Sequence, residues 1–129
     1  MLIHGADSSH NVHDIRTDAA GRPYVNLRGA ESPVWKYSNL NNVNETTLWD
    51  PTSGYKWVLT DMIVSTNNLA CITFRDGTGG STFLEFWLPA NTVTSFHFMT
   101  PIQSSAANNN LTGQTSSMTS YITLIGYEI

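Results

Sequence analysis

Charged residues are scarce in this chain of 129 residues, of which only 12% are Asp, Glu, Lys or Arg. A soluble domain ordinarily contains about twice that share. Ser, Thr and Asn replace them and together make up about a third of the sequence. Because these side chains compete for backbone hydrogen bonds, they disfavour long surface helices. The composition therefore predicts a single all-β domain, since a chain of this length has no room for a second core.

The chain also has few positively charged residues. It contains six Lys and Arg residues and ten Asp and Glu residues, which gives a net charge of −4. So few basic side chains cannot neutralise a phosphate backbone, and we expect no nucleic-acid partner. The apolar runs are far shorter than a membrane span, and the first residues lack the basic and then apolar pattern of a secretory signal. We expect no membrane partner and synthesis in a cytoplasm.

Cys71 is the only cysteine, which excludes an intrachain disulfide and a zinc site built from cysteines. It lies in an apolar stretch and is interpreted as a small strand residue rather than a nucleophile. The four histidines match no metal-ligand spacing, and the sequence has no nucleophile motif and no phosphate-binding glycine loop in a suitable context. We therefore predict no metal, no cofactor, no catalytic residue and no enzymatic activity.

The first 30 residues differ from the rest of the chain, because they contain few large apolar residues and several turn-prone clusters. A turn is predicted at residues 18–23, between short strand-like segments at 12–17 and 24–28. Such a segment cannot bury a core of its own. We predict that residues 1–30 form an extended N-terminal arm or hairpin and that residues 31–129 form the folded domain.

After the arm, short stretches rich in Val, Ile, Thr and aromatic residues alternate with turn signals about every ten residues. This spacing is typical of a β-sandwich or a small barrel. Eight strands are expected, which is enough for two sheets. They span residues 34–39, 46–49, 56–65, 70–75, 82–88, 94–99, 110–115 and 120–127.

Alternation along each strand assigns its side chains to two faces. The strand that begins at residue 56 is apolar on both faces, and two aromatic side chains of the strand that begins at residue 82 fall on its outer face. A sandwich alone in water has a polar outer face on each sheet. The excess of apolar side chains on the outer faces therefore predicts a surface covered by a partner chain. The residues assigned to this oligomer interface are Val58, Met62, Phe83 and Trp87.

The aromatic residues leave a second interpretation open. The chain contains four tryptophans and five tyrosines, and sugars stack on exposed aromatic rings, although most aromatic side chains in strands belong to a core or an interface. In this alternative, Trp35 and Trp49 form a platform that binds glycans.

Several runs of the sequence resemble a known family. They are residues 47–60 (TLWDPTSGYKWVLT), 73–77 (TFRDG) and 88–91 (LPAN), with the closing segments 101–111 and 121–128. Together they resemble a small β-sandwich module of tailed-bacteriophage virion proteins, from about Thr46 to the C-terminus and more loosely over the arm. The resemblance implies a jelly-roll-like sandwich that forms a homotrimer on the virion, most often as a capsid decoration or cement protein.

The leading interpretation is therefore a virion structural protein on the capsid surface, which binds the major capsid protein and stabilises the assembled shell. The arm would dock on the shell by strand addition. Its Arg16, Arg22 and Arg28 are the candidate contacts to acidic capsid surface, because they are half of the basic residues in the chain. The alternative is a tail or head-fibre module that binds host surface glycans.

Overall fold

The computed structural model describes residues 3–6, 12–15, 33–40, 44–117 and 119–129. These residues form ten β-strands and no helix. Within this part of the chain there is no helix long and apolar enough to cross a membrane. The chain divides into two compact units, Met1–Glu31 and Ser32–Ile129.

The first unit contains a two-stranded antiparallel hairpin. Strand β1 (Ile3–Ala6) pairs with β2 (Val12–Ile15), so that Ile3 lies opposite Ile15 and Ala6 lies opposite Val12. Strand β2 falls within the strand-like segment predicted at residues 12–17. The predicted segment at residues 24–28 lies outside the described residues.

The second unit is a β-sandwich of two four-stranded antiparallel sheets. The first sheet has the strand order β3-β10-β5-β8, and the second has the order β4-β9-β6-β7. The expected all-β sandwich of eight strands is confirmed. The strands are β3 (Val34–Leu40), β4 (Thr46–Trp49), β5 (Trp57–Thr66), β6 (Ala70–Asp76), β7 (Ser81–Leu88), β8 (Thr92–Gln103), β9 (Leu111–Thr115) and β10 (Ser120–Glu128).

The strand pairs are nested along the chain: β3 pairs with β10, β4 with β9, β5 with β8 and β6 with β7. The arrangement corresponds to one long hairpin wrapped into two layers, which is the jelly-roll order. The tip of this hairpin is the turn between β6 and β7. There the amide of Gly80 donates to the carbonyl of Gly77 at 2.9 Å, and Gly77 has a φ of 87°, a conformation that glycine adopts without strain.

The core between the two sheets contains apolar side chains from seven of the eight strands. Three of its largest side chains, Trp49, Trp57 and Phe74, come from three different strands. The other core residues are Leu40, Leu48, Leu59, Met62, Val64, Ala70, Ile72, Leu88, Leu111, Ile122 and Leu124.

Strand β5 changes its inward face at Thr60. The register with β8 shifts between Leu59 and Asp61, and the pairing with β10 also passes over Thr60. Thr60 is therefore an extra, bulged residue, and such a bulge inverts the alternation of side chains along a strand. Odd-numbered residues face the core before it and even-numbered residues after it. The side chains that β5 contributes to the core are accordingly Trp57, Leu59, Met62 and Val64.

The bulge corrects the prediction that β5 is apolar on both faces. Met62 is a fully buried core residue and Val58 is also buried. Neither side chain offers surface to a partner chain, so the assignment of Val58 and Met62 to an oligomer interface is wrong. Strict alternation assigned the residues after Thr60 to the wrong faces because it takes no account of the bulge at that residue.

Strand β7 contains a second bulge, at Phe83. The register with β6 shifts so that Phe74 lies opposite Leu84 while Arg75 lies opposite Thr82, which leaves Phe83 without an opposite residue. Its ring turns inward and lies 5.6 Å from the Trp57 ring, centroid to centroid. The assignment of Phe83 to the outer face is therefore wrong, because the extra residue turns its side chain inward, where it is half-buried against the core.

Strand β8 is longer than the predicted strand, since it runs to Gln103 instead of ending at residue 99. It lies at the edge of the first sheet. An edge strand tolerates a proline because one row of its backbone groups needs no partner. Pro101 therefore interrupts the pairing without ending the strand.

Candidate functional site

The outer face of the first sheet carries a set of apolar side chains, which we call the apolar face and which consists of Trp35, Tyr37, Ile63, Val93 and Ile125. Cross-strand register places them on one surface, because directly opposite residues of neighbouring strands share a face. One row runs from Trp35 through Ile125 to Asp61, and the next row runs from Tyr37 through Thr123 to Ile63.

Strand β3 presents its aromatic side chains to solvent because it lies at the sheet edge and alternates regularly. The Trp35 side chain is 71% exposed, and Tyr37 is exposed as well. On the inner strands Ile63 is exposed and Ile125 is half-buried, and Val93 extends the exposed surface onto β8. Contiguous apolar surface of this kind marks a place where another molecule binds.

An Asp–His pair borders the apolar face. Asp61 and His97 lie opposite each other on β5 and β8, and His97 Nδ1 is 2.7 Å from Asp61 Oδ1. Hydrogen bonds from His97 and then from Thr60 hold the pKa of the Asp61 carboxyl below its ordinary value. The carboxylate is therefore ionised at neutral pH and holds the imidazole ring in one orientation.

A shallow depression of about 220 Å³ lies beside this pair, with Ser95, Phe96 and Ile125 among its lining residues. Ser95 shares the face and is two residues from His97 on the same strand. Within the described part of the chain, no hydrogen bond joins Ser95 to His97. The pair therefore supplies a fixed polar contact at the rim of an apolar surface, which is the arrangement of a binding interface.

Trp49, the other half of the proposed glycan platform, is only 1% exposed. Its indole Nε1 donates to Glu128 Oε1 at 2.9 Å. A sugar cannot stack on a ring enclosed in this way, so the assignment of Trp49 to a glycan platform is wrong. Trp35 remains the exposed member of that pair.

Trp87 is 64% exposed on the outer face of the second sheet. The prediction that its side chain lies outside the core is confirmed. The structure does not bring it next to Trp35, because the two tryptophans lie on the outer faces of opposite layers of the sandwich.

The three arginines proposed for capsid docking, Arg16, Arg22 and Arg28, lie outside the described residues. Among the residues that are described, no three His, Cys, Asp or Glu side chains come together as metal ligands.

Ile63, Ile125 and the Asp61–His97 pair are surface features that alternation along the strands did not predict. Alternation from residue 56 placed Ile63 on the same side as the buried Trp57, since the bulge at Thr60 was not recognised. The signal that was present is the threonine followed by aspartate in an otherwise apolar strand, because a charged residue in that position indicates a solvent-facing side chain.

The fold and the exposed faces define a jelly-roll β-sandwich with one apolar outer surface. No protein-family model and no curated protein matches the sequence. Among solved structures, the chain is similar to a Salmonella typhimurium protein named for ethanolamine utilization (ethanolamine utilization protein Q). That likeness has 12% sequence identity and a TM-score of 0.24, over 98% of this chain and 94% of the other. At this TM-score it carries no argument about fold or function.

Proposed function

We propose that the chain is a structural protein of a tailed-phage virion, a capsid decoration or cement protein that forms a trimer through the apolar face. The observation that carries the self-association is that Trp35, Tyr37 and Ile63 are exposed in two neighbouring rows on one face of the first sheet. The virion setting is supported by the sequence resemblance described above.

The apolar face supplies the free energy for this association. Covering a large apolar side chain contributes about 1.5–3 kcal/mol when it goes from full exposure to full burial. Several such side chains together offset part of the cost of lost translational and rotational freedom. The Asp61–His97 pair at the rim adds a polar contact that fixes the register of the subunits rather than their affinity.

Stabilisation of the shell follows from mass action. A protein that binds the assembled lattice, and not the separate capsid subunits, shifts the equilibrium away from disassembly. In this proposal the N-terminal arm docks on the major capsid protein by strand addition, with Arg16, Arg22 and Arg28 as contacts to acidic surface. No catalytic step is involved.

The mass of the purified protein in solution tests the self-association. Light scattering should give the mass of a trimer for the wild type and of a monomer for Trp35→Glu and for Ile63→Glu. Trp87→Glu is the matched control, because it places the same charge on an exposed tryptophan of the other sheet, and it should remain a trimer. A wild-type monomer at high concentration, or face variants that stay trimeric, would contradict the role of the apolar face.

Co-sedimentation with capsids of the encoding phage tests the shell-binding part. Full-length protein should pellet with capsids, and a variant that lacks residues 1–30 should stay in the supernatant while retaining its β-sheet circular dichroism and its trimer mass. Unchanged capsid occupancy of the truncated protein would overturn the role of the arm, and absence of binding by the full-length protein would overturn the decoration function.

A second candidate is a tail or head-fibre module that binds host surface glycans through Trp35. The supporting observation is that Trp35 and Tyr37 are two residues apart on one face of β3 and are both exposed. Trp35→Ala would then abolish binding to host cells and leave the trimer intact. Loss of the trimer in the same variant would favour the decoration function instead.

A further inference from the structure

The outer face of the second sheet differs in chemistry from the apolar face. Strands β7, β6 and β9 present one aromatic ring beside polar and charged side chains that do not lie in the core. We call this set the polar face, and it consists of Thr73, Arg75, Glu85, Trp87 and Gln114.

Cross-strand register arranges the polar face in rows. Thr73 lies between Glu85 on β7 and Gln114 on β9, and Trp87 lies directly opposite Cys71. Arg75 follows Thr73 by two residues and therefore shares its face. The rows extend over three strands, so at about 4.8 Å between strands the surface is roughly 10 Å wide.

Hydrogen bonds fix these side chains in place before any ligand arrives. The Thr73 hydroxyl donates to Glu85 Oε2 at 2.9 Å, and the Arg75 guanidinium donates to Gln114 Oε1 at 2.8 Å. The planar carboxylate, amide and guanidinium groups thus have set orientations on a rigid sheet. Preorganisation of this kind lowers the entropy cost of binding.

A depression of about 240 Å³ lies between β6 and β9 on this sheet, and one of its lining residues, Cys71, is the cross-strand neighbour of Trp87. Its lining residues are Cys71, Thr73, Gln114, Thr115 and Ser116. Ser116 is tied to Cys71 by two hydrogen bonds, since the Cys71 amide donates to Ser116 Oγ at 2.8 Å and the Ser116 amide donates to the Cys71 carbonyl at 2.9 Å. The floor of the depression is therefore held firmly and is rich in hydrogen-bonding groups.

We propose that the polar face binds a neutral glycan, with Trp87 stacking on a sugar ring and Glu85, Arg75 and Gln114 bonding its hydroxyl groups. A sugar ring has an apolar face of C–H groups and a rim of hydroxyls that both donate and accept. An exposed indole matches the first property, and planar side chains with two donors or two acceptors match pairs of neighbouring hydroxyls.

Charge selects the class of glycan. Glu85 and Arg75 carry opposite charges on the same face, and the Glu45 carboxylate accepts from Thr112, which lies opposite Arg75. The surface therefore has no excess positive charge that would select an acidic sugar. The width of about 10 Å accommodates about two linked rings. The site is independent of self-association, because it lies on the sheet opposite the apolar face.

The apolar face meets these requirements less well. Trp35 has Ile125 as its cross-strand neighbour, and Tyr37 has Thr123. The row of Glu85, Thr73 and Gln114 is the next row along the strands from Trp87, whereas the apolar Ile125 separates Trp35 from Asp61. The two tryptophans therefore serve as matched variants for locating a glycan.

Nuclear magnetic resonance titration of the full-length protein tests the proposal. The probes are the methyl glycosides of glucose, galactose, mannose and N-acetylglucosamine, each at about 50 mM, which exceeds the millimolar Kd expected of one stacked ring. At least one should shift the indole resonance of Trp87 and the side-chain amide of Gln114. If none of the four does so, or if only a methyl sialoside does, the neutral-glycan site is refuted.

Cys71 provides a second readout, because it is the only cysteine and lines the depression. Burial and then the nearby Glu85 raise the pKa of its thiol, so labelling with iodoacetamide is run at mildly alkaline pH. The glycoside that shifts Trp87 should slow this labelling several-fold. An unchanged labelling rate at saturating glycoside would place the sugar elsewhere.

Variants complete the test. Trp87→Ala and Gln114→Ala should each weaken the Kd for that glycoside at least tenfold, whereas Trp35→Ala should leave it unchanged. Thermal unfolding verifies that each variant is folded. If one variant does not fold, the protection of Cys71 from labelling in the wild type still tests the site. Loss of binding in Trp35→Ala with full binding in Trp87→Ala would move the glycan to the apolar face and overturn the proposal.

Discussion

The indole Nε1 of Trp49 donates a 2.9 Å hydrogen bond to Oε1 of Glu128. This bond joins β4 of the second sheet to the end of β10 in the first sheet. The other carboxylate oxygen, Oε2, accepts from the amide of Thr52 at 3.2 Å. One side chain near the C-terminus thus holds both a core tryptophan and the turn that follows β4.

Removal of the Glu128 acceptor should destabilise the sandwich. Glu128→Ala leaves the buried Trp49 N–H without its partner, and an orphaned buried donor costs about 1–3 kcal/mol. Glu128→Gln is the matched control, since its amide oxygen can still accept, and it should cost less than half as much. Urea unfolding followed by tryptophan fluorescence measures both, and equal losses would show that the bond is not responsible.

Acid should weaken the fold through the same carboxyl group. Burial raises the pKa of Glu128, but the hydrogen bonds from Trp49 and Thr52 and the nearby charge of Lys36 together lower it below its ordinary value. A group with a depressed pKa in the folded state stabilises the protein above its unfolded pKa, and this contribution is lost as the pH falls through the folded value. The loss for Glu128 is expected below about pH 4.3.

Unfolding free energies of wild type and Glu128→Gln between pH 7 and pH 3 measure this effect. The wild type should be more stable at neutral pH, and the difference should shrink as the pH falls. Two parallel curves would contradict the linkage. Glu45 and Asp61 also have lowered pKa values, from hydrogen bonds with Thr112 and with His97 respectively, so wild-type stability should still fall with acid in the variant.

Gly126 should be intolerant of any side chain. A Cβ added there would lie 1.8 Å from the Val58 carbonyl oxygen, because β10 approaches β5 closely at the bulge. Gly126→Ala should therefore cost about 3 kcal/mol or prevent folding. Gly79→Ala is the comparison, since its positive φ costs only about 1–2 kcal/mol and nothing lies within 4 Å of the added atom. Chemical denaturation measures the free energy of unfolding of both variants. A smaller loss of stability in Gly126→Ala than in Gly79→Ala would disprove the close approach.

Phe83 and Trp87 lie on one strand but should respond differently to truncation. Phe83 packs against the core rings of Trp57 and Phe74, so Phe83→Ala should lower the unfolding free energy by about 2–3 kcal/mol. Trp87→Ala removes an exposed ring and should change it by about 0.5 kcal/mol or less. A larger loss at Trp87 would contradict the bulge that turns Phe83 inward. Thermal unfolding of the two variants gives the comparison directly.

Much of the fold could be predicted from local patterns. Period-two alternation and turn residues identified all eight strands of the sandwich, because both signals depend only on neighbouring residues. The exposure of Trp87 followed from the same alternation. Trp35 and Trp49 could not be separated in this way, since both are aromatic residues in short strands, and their burial depends on which strands cover them.

The sequence by itself determined that this protein is an all-β sandwich with a sparsely charged surface, because residue types and turn spacing decide that locally. Only the tertiary structure decided which apolar side chains face water. The bulges at Thr60 and Phe83 arise from the pairing of strands: the bulge at Thr60 reverses the inward face of β5, and the bulge at Phe83 turns one additional ring of β7 toward the core. As a result Met62 lies in the core, Phe83 is half-buried against it, and Ile63 stays on the surface as part of the apolar face.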